Sequence, residues 1–169
     1  LEVPALVDWL VQQKRKTSPK VVRMTREANH MKRIFWASVT RGLKLAALQI
    51  PGPEMEPLNI RDGKIATLFA IDKGNNRFEV MGKNILEFEM YLSSDRIDFE
   101  KPVVVTFQAI QNKGKELTPG EKFVAFHQKV EKDTSVLLRG FKEFRDQSLF
   151  FDAKITVSAQ KTVEFAASP

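Results

Sequence analysis

Cysteine is missing from the 169-residue chain. That excludes disulfide scaffolds, thiol nucleophiles, cysteine-ligated zinc and iron–sulfur clusters. Histidine occurs only as His30 and His127. Neither has an i, i+4 partner, so a metal site would need several carboxylates, and no metal or cofactor is expected. Glycine is sparse, with eight residues. No G-x-x-x-x-G-K-[ST] phosphate loop and no G-x-S-x-G nucleophile turn can be found. No apolar run reaches about 18 residues, so no membrane span is predicted.

Enough apolar sequence remains for a globular domain. Hydrophobic residues make up 43% and charged residues 28%, which argues against disorder and low complexity. A chain of this length buries about 70% of its unfolded surface, so it folds without disulfides or metal. Net charge is +6 and unevenly placed. Residues 1–44 hold ten Lys and Arg against Glu2, Asp8 and Glu27, and the remainder is close to neutral. Lys14, Arg15, Lys20, Arg23 and Arg33 are therefore the candidates for a basic contact surface. Gathered on one face, they would suit nucleic acid or an anionic membrane. A solvated surface is the simpler reading, because charge balance alone reports solubility and weak association. Nucleic acid is disfavoured as a partner, since the aromatics are not interleaved with these cations.

The first segment, Val3 to Lys16, reads as a helix. Leu6, Val7, Leu10 and Val11 form one apolar stripe, with Trp9 on its edge. Pro4 suits a first turn, and Thr17-Ser18-Pro19 ends the pattern. Strands are predicted at Val21–Thr25, Arg33–Thr40 and Leu43–Ile50, followed by a proline-rich loop through Leu58. Lys64–Ile71 and Arg77–Met81 form a predicted hairpin. Its connector, Asp72-Lys73-Gly74-Asn75-Asn76, consists of residues that tolerate positive φ. Asn84–Leu92 alternates cleanly, with Phe88, Met90 and Leu92 inward and Glu87, Glu89 and Tyr91 outward. Val103–Ile110 is the next strand, Lys113–Lys122 reads as a loop, and Phe123–Val130 as a strand or the lead into a helix. The second helix spans Asp133–Arg145, with an apolar stripe of Val136, Leu137, Gly140, Phe141 and Phe144. Asp133 or Thr134 caps it. Leu149–Val157 is the last strand. Alternation and short, evenly spaced strands predict a mainly β protein: an antiparallel β-sandwich of Ig or fibronectin-III type, with an N-terminal helix and one late helix.

Chemistry-bearing residue types are scattered. Glu87 and Glu89 are spaced as the wet face of a strand, not as an acid–base pair. Ser38, Ser93, Ser94 and Ser148 lack glycine brackets. Phe88, Phe107, Phe141, Phe144, Phe151 and Trp36 read as core. Tyr91 faces outward and is the best single candidate for a surface contact.

Three stretches resemble one family. They are Val7-Asp8-Trp9-Leu10 through Lys14-Arg15, Pro19, Val21-Val22 and Ile34-Phe35-Trp36; Leu92 to Phe99 with Lys101-Pro102-Val103-Val104-Val105; and Leu137-Leu138 through Phe144, Asp146, Leu149-Phe150 and Ile155. Together they are similar to the C-terminal β-rich domain of bacterial esterase or prolyl-oligopeptidase-like α/β-hydrolase proteins. One departure is that the family places Asn-Gly after the Pro-Val strand, where this chain has Gln111-Asn112-Lys113-Gly114. The resemblance implies a serine-hydrolase parent whose catalytic residues lie upstream of Leu1. Residues 1–18 would then be the end of the catalytic domain or a linker helix, 19–158 the β-sandwich and 159–169 a tail. A start at Leu1 without methionine is expected of a processed or excised chain. The implied partner is the catalytic domain of the same polypeptide, and the implied location extracytoplasmic. No catalytic site is expected within this segment. The rival readings are an autonomous module for carbohydrate, polymer or cell surface, built around Tyr91, and the basic-patch module. A small enzyme with a dispersed site ranks behind them. The sequence leaves the oligomeric state open.

Overall fold

The computed structural model describes residues 3–12, 18–27, 33–43, 65–113, 116–144 and 150–161. The elements are α1 (Val3–Gln12), β1 (Val21–Glu27), β2 (Ala37–Arg41), β3 (Ile65–Gly74), β4 (Arg77–Lys83), β5 (Glu87–Leu92), β6 (Val103–Lys113), β7 (Glu116–Gln128), α2 (Thr134–Phe144) and β8 (Ala153–Ser158). The chain is mainly β. Five strands form one sheet in the order β1-β3-β4-β6-β7, and three form a second in the order β2-β5-β8.

Alternation decides which side chains go inside. Along β3, Ala66, Leu68 and Ala70 are buried while their neighbours are partly exposed, and β4 and β5 repeat the pattern. Buried residues from both sheets belong to one apolar core, with Trp36, Phe78, Phe88 and Phe107 as its largest members. Rings bridge the sheets: Phe88 of β5 stacks on Phe107 of β6 at 5.8 Å, and Trp36 meets Phe78 of β4 at 5.6 Å.

Most pairing is antiparallel, as expected, but β4 and β6 run parallel in register Arg77↔Val104 to Gly82↔Ala109. The connectivity explains this correction. After β4 the chain crosses to the smaller sheet as β5 and returns as β6. Two reversals bring β6 back in the direction of β4. Asn76 starts the ladder, since its carbonyl accepts the Val104 N–H at 2.8 Å.

The β3–β4 hairpin forms at the predicted connector, with Gly74, Asn75 and Asn76 all at positive φ. The loop expected over Lys113–Lys122 is instead the distal half of a long hairpin, in which β7 begins at Glu116 and pairs as far as Lys113↔Glu116. Two bulges, at Val105/Thr106 and Gln108/Ile110, break the two-residue period that would have revealed it. Strand β2 starts later than expected, because Ile34 and Ala37 bridge around a tight turn with Phe35 at φ 52°. The strand expected at Leu43–Ile50 lies almost wholly outside the described residues, as does the loop through Leu58.

Helix α2 starts where its cap was expected. The Asp133 carboxylate accepts the Ser135 N–H at 2.8 Å. Hydrogen bonds from the Ser135 side chain and then its N–H hold the Asp133 carboxyl below its usual range. Its stripe is narrower than predicted. Val136 and Gly140 turn inward, but Leu137, Leu138 and Phe141 are exposed. Phe141 is thus not core; its ring meets Phe150 edge-on at 5.9 Å.

Candidate functional site

Among the described residues, a dense set of buried polar contacts lies at the start of β1. Arg96, in the loop between β5 and β6, has a side chain only 3% exposed. Its guanidinium donates to Asp72 Oδ2 at 2.8 Å and to the Ser18 hydroxyl, and approaches the Pro19 carbonyl at 3.4 Å. It also lies over the Trp36 ring at 4.7 Å. Trp36 Nε1 donates to the same Pro19 carbonyl at 2.7 Å, and the Asp72 N–H donates to the Lys20 carbonyl at 2.8 Å. Three separate elements therefore grip Ser18-Pro19-Lys20, the residues that lead into β1. Burial pulls the Arg96 guanidinium below its ordinary pKa, against the attraction of Asp72.

The loop that carries Arg96 is itself fixed. Asn76 is buried at the hairpin turn and reaches across to it. Its Nδ2 donates to the carbonyls of Asp98 at 2.6 Å and Lys101 at 3.1 Å, and its Oδ1 accepts the Asp98 N–H at 2.8 Å. At the loop's start the Asp152 carboxylate accepts both the N–H and the hydroxyl of Ser94 at 2.7 Å. The result is a clamp: a rigid loop holding one buried cation against the incoming segment. Sequence reasoning singled out neither Arg96 nor Asn76 as a site. The available signal was Arg96 itself, a cation within the stretch Leu92–Phe99 on which the family resemblance rests.

Beside the clamp, an open groove of about 800 Å³ is lined by Asn75, Ser94, Asp95, Asp98, Glu100 and Lys132 among others. Its charges are largely taken up internally. Lys101 pairs with Asp98 at 2.8 Å, Lys129 with Glu100 at 2.7 Å, and Lys132 donates to Ser94 Oγ at 3.0 Å.

Tyr91 and Arg33 come together on the outer face of the three-stranded sheet. Arg33 lies over the rings of Tyr91 and Phe151 at 4.6 and 4.8 Å, and those two rings meet at 5.7 Å with a 58° tilt. The Tyr91 hydroxyl donates to Glu89 at 3.1 Å, and Lys154 donates to the other Glu89 oxygen at 2.5 Å. Burial, followed by the Glu89 charge, pushes the Tyr91 phenol up to about 12. Burial also lowers the Arg33 guanidinium, with Tyr91 and Glu143 opposing. A cleft of about 200 Å³ separates this cluster from Arg139, Gly140 and Glu143 of α2. Tyr91 is thus half-buried in a packed aromatic–cation cluster rather than displayed as a stacking platform.

The basic candidates are not gathered. Arg23 is exposed on β1 of the five-stranded sheet, whereas Arg33 sits on the outer face of the other sheet, with the core between them. Lys20 is exposed next to the clamp, and Lys14 and Arg15 lie outside the described residues. His127 is exposed on β7 and His30 lies outside the described residues. Glu87 accepts the Thr40 hydroxyl at 2.9 Å. Among the described residues no group of three or more His, Asp and Glu is placed to hold a metal ion, and no helix is long and apolar enough to cross a membrane.

Comparison with protein-family models, curated proteins and solved structures finds no match for this chain.

Proposed function

We propose that the two sheets form a β-sandwich of the broad Ig/fibronectin-III class, and that it serves as a non-catalytic accessory domain of an esterase-like α/β-hydrolase. Its role is to pack on the catalytic domain and shape access to it. One observation carries the reading. Helix α1 presents Leu6, Val7, Trp9 and Val11 to solvent, Trp9 at 56% and Val11 at 79% exposure, while Ser18-Pro19-Lys20, further along the chain, is gripped by buried groups. A ten-residue helix with an open apolar face is marginal in water alone. It becomes stable when that face is covered by a partner. The resemblance over residues 3–158 supplies the identity of that partner as the upstream hydrolase domain.

The test is to isolate the native gene product with an antibody against this segment and treat it with a fluorophosphonate serine probe. Peptide mapping should place the label on a serine upstream of Leu1. A native product that takes no label, or takes it within residues 1–169, would contradict the proposal.

A further inference from the structure

The five-stranded sheet has a second face, turned away from the core. Strand alternation and register place Val21, Phe69, Ile71 and Met81 side by side on it: Val21 opposite Ile71, and Phe69 opposite Met81. Val21 is exposed and the other three are partly exposed. With strands about 4.8 Å apart, these four side chains make a patch about 10 Å across. Around it, on the same face, stand Arg23, Lys73, Arg77 and Lys122, with the carboxylate Glu79 among them and Glu27 at a register position on the same face at the far end of β1. Glu79 is shared by Lys122 at 2.6 Å and Lys73 at 3.6 Å, which holds its carboxyl below the usual range. Cations and carboxylates are near balance in the groove beside the clamp and in the Tyr91 cleft, whereas this face carries a clear excess of positive charge.

The geometry points to this face as a docking surface for an acidic protein face with an apolar centre. Resting on the accessory-domain reading, we assign that partner to the upstream domain of the same polypeptide. Two features support the assignment. The excess of cations asks for carboxylates opposite, and rim charges of this kind fix register and exclude like-charged partners. The clamp also releases β1 at Val21, the edge of the patch, so a domain entering through Ser18-Pro19-Lys20 arrives beside this face. The patch alone is small compared with the roughly 800 Å² per partner of a stable interface. The apolar side of α1 supplies further area for the same partner.

No cysteine within these 169 residues competes for the label, and peptide mapping separates any that lies elsewhere. Single substitutions Met81→Cys and Thr106→Cys report on this face, Val11→Cys on α1, and Thr156→Cys on the exposed outer side of β8. Each is treated with a maleimide in the 169-residue chain and in the native-length gene product, and read by peptide mass spectrometry. Labelling of Met81→Cys and Thr106→Cys is expected to slow about 10-fold or more in the native-length product, as at the dry centre of an interface. Thr156→Cys should be unchanged. Adding Arg23→Glu and Arg77→Glu should restore fast labelling. Protection of Val11→Cys without Met81→Cys or Thr106→Cys would overturn the assignment and leave the accessory-domain reading standing. Protection of neither would overturn both. Unprotected Met81→Cys, together with binding of the 169-residue chain to phosphatidylserine vesicles or oligo(dT) that Arg23→Glu and Arg77→Glu abolish, would give the face to lipid or nucleic acid and also overturn the assignment.

Discussion

Replacing Arg96 by Met keeps much of the side-chain volume and removes the charge. Asp72, whose side chain is 12% exposed, then loses the cation at 2.8 Å, and Ser18, the Pro19 carbonyl and the Trp36 ring each lose a contact. Breaking a buried pair by removing one partner costs about 3–5 kcal/mol, mostly because the other charge stays behind unpaired. Against a typical stability of about 5–15 kcal/mol the Arg96→Met protein should remain folded but much weakened. Asp72→Asn keeps an oxygen for the Gly74 N–H, which Oδ1 accepts at 2.8 Å. The double variant Arg96→Met/Asp72→Asn leaves no orphan charge, and its loss should fall to about 1–2 kcal/mol. Urea unfolding followed by tryptophan fluorescence measures all three, because Trp36 is buried against both Arg96 and the Pro19 carbonyl. A double variant as weak as the sum of the two single ones would refute the reasoning, since it would show independent packing losses instead of an uncompensated charge.

Three further outcomes follow from the geometry. Asn75 and Asn76 share a positive φ, but only Asn76 stitches the turn to the clamp loop. Asn75→Ala should therefore cost about 1 kcal/mol and Asn76→Ala about 3–5 kcal/mol in the same urea assay, and equal losses would contradict the clamp. Tyr91 is the single tyrosine, so phenolate absorbance at 295 nm should titrate near 12. A phenol raised in the fold gives stability that is complete below its unfolded pKa of about 10 and is lost as pH rises toward 12; a midpoint at 10 would mean the ring is open to water. For Asp133 the shift is downward, so its cap stabilises above the ordinary carboxyl pKa and the effect is lost as pH falls below about 4. Asp133→Ala should lower the melting temperature at pH 7, with the deficit closing in acid, as read by circular dichroism.

Elements with an unbroken period were legible in the sequence. Strand β5 alternates from Glu87 to Leu92, and the hairpin connector Asp72–Asn76 announced its positive φ values through residue type. The distal hairpin was not legible, because bulges at Val105/Thr106 and Gln108/Ile110 shift the phase and its exposed residues carry no burial signal. Helix α2 misled for a different reason. Leu137 and Phe141 satisfy helical spacing, yet the helix lies on the sheet along Val136 and Gly140, so apolar residues remain outside. The clamp was hidden because its parts, Ser18, Trp36, Asp72 and Arg96, are far apart in sequence and meet only through the sheet order. Tyr91 was placed on the correct face, but its packing under Arg33 depends on a turn that periodicity does not encode.

The central claim is that α1 and the clamp join this domain to a hydrolase domain upstream. The most direct test is the intact mass of the native gene product, captured from source cells with an antibody to this segment. A species far heavier than the 19.3 kDa of this chain is expected. A native species of 19.3 kDa would contradict the account, because the apolar side of α1 would then have no upstream domain to cover it.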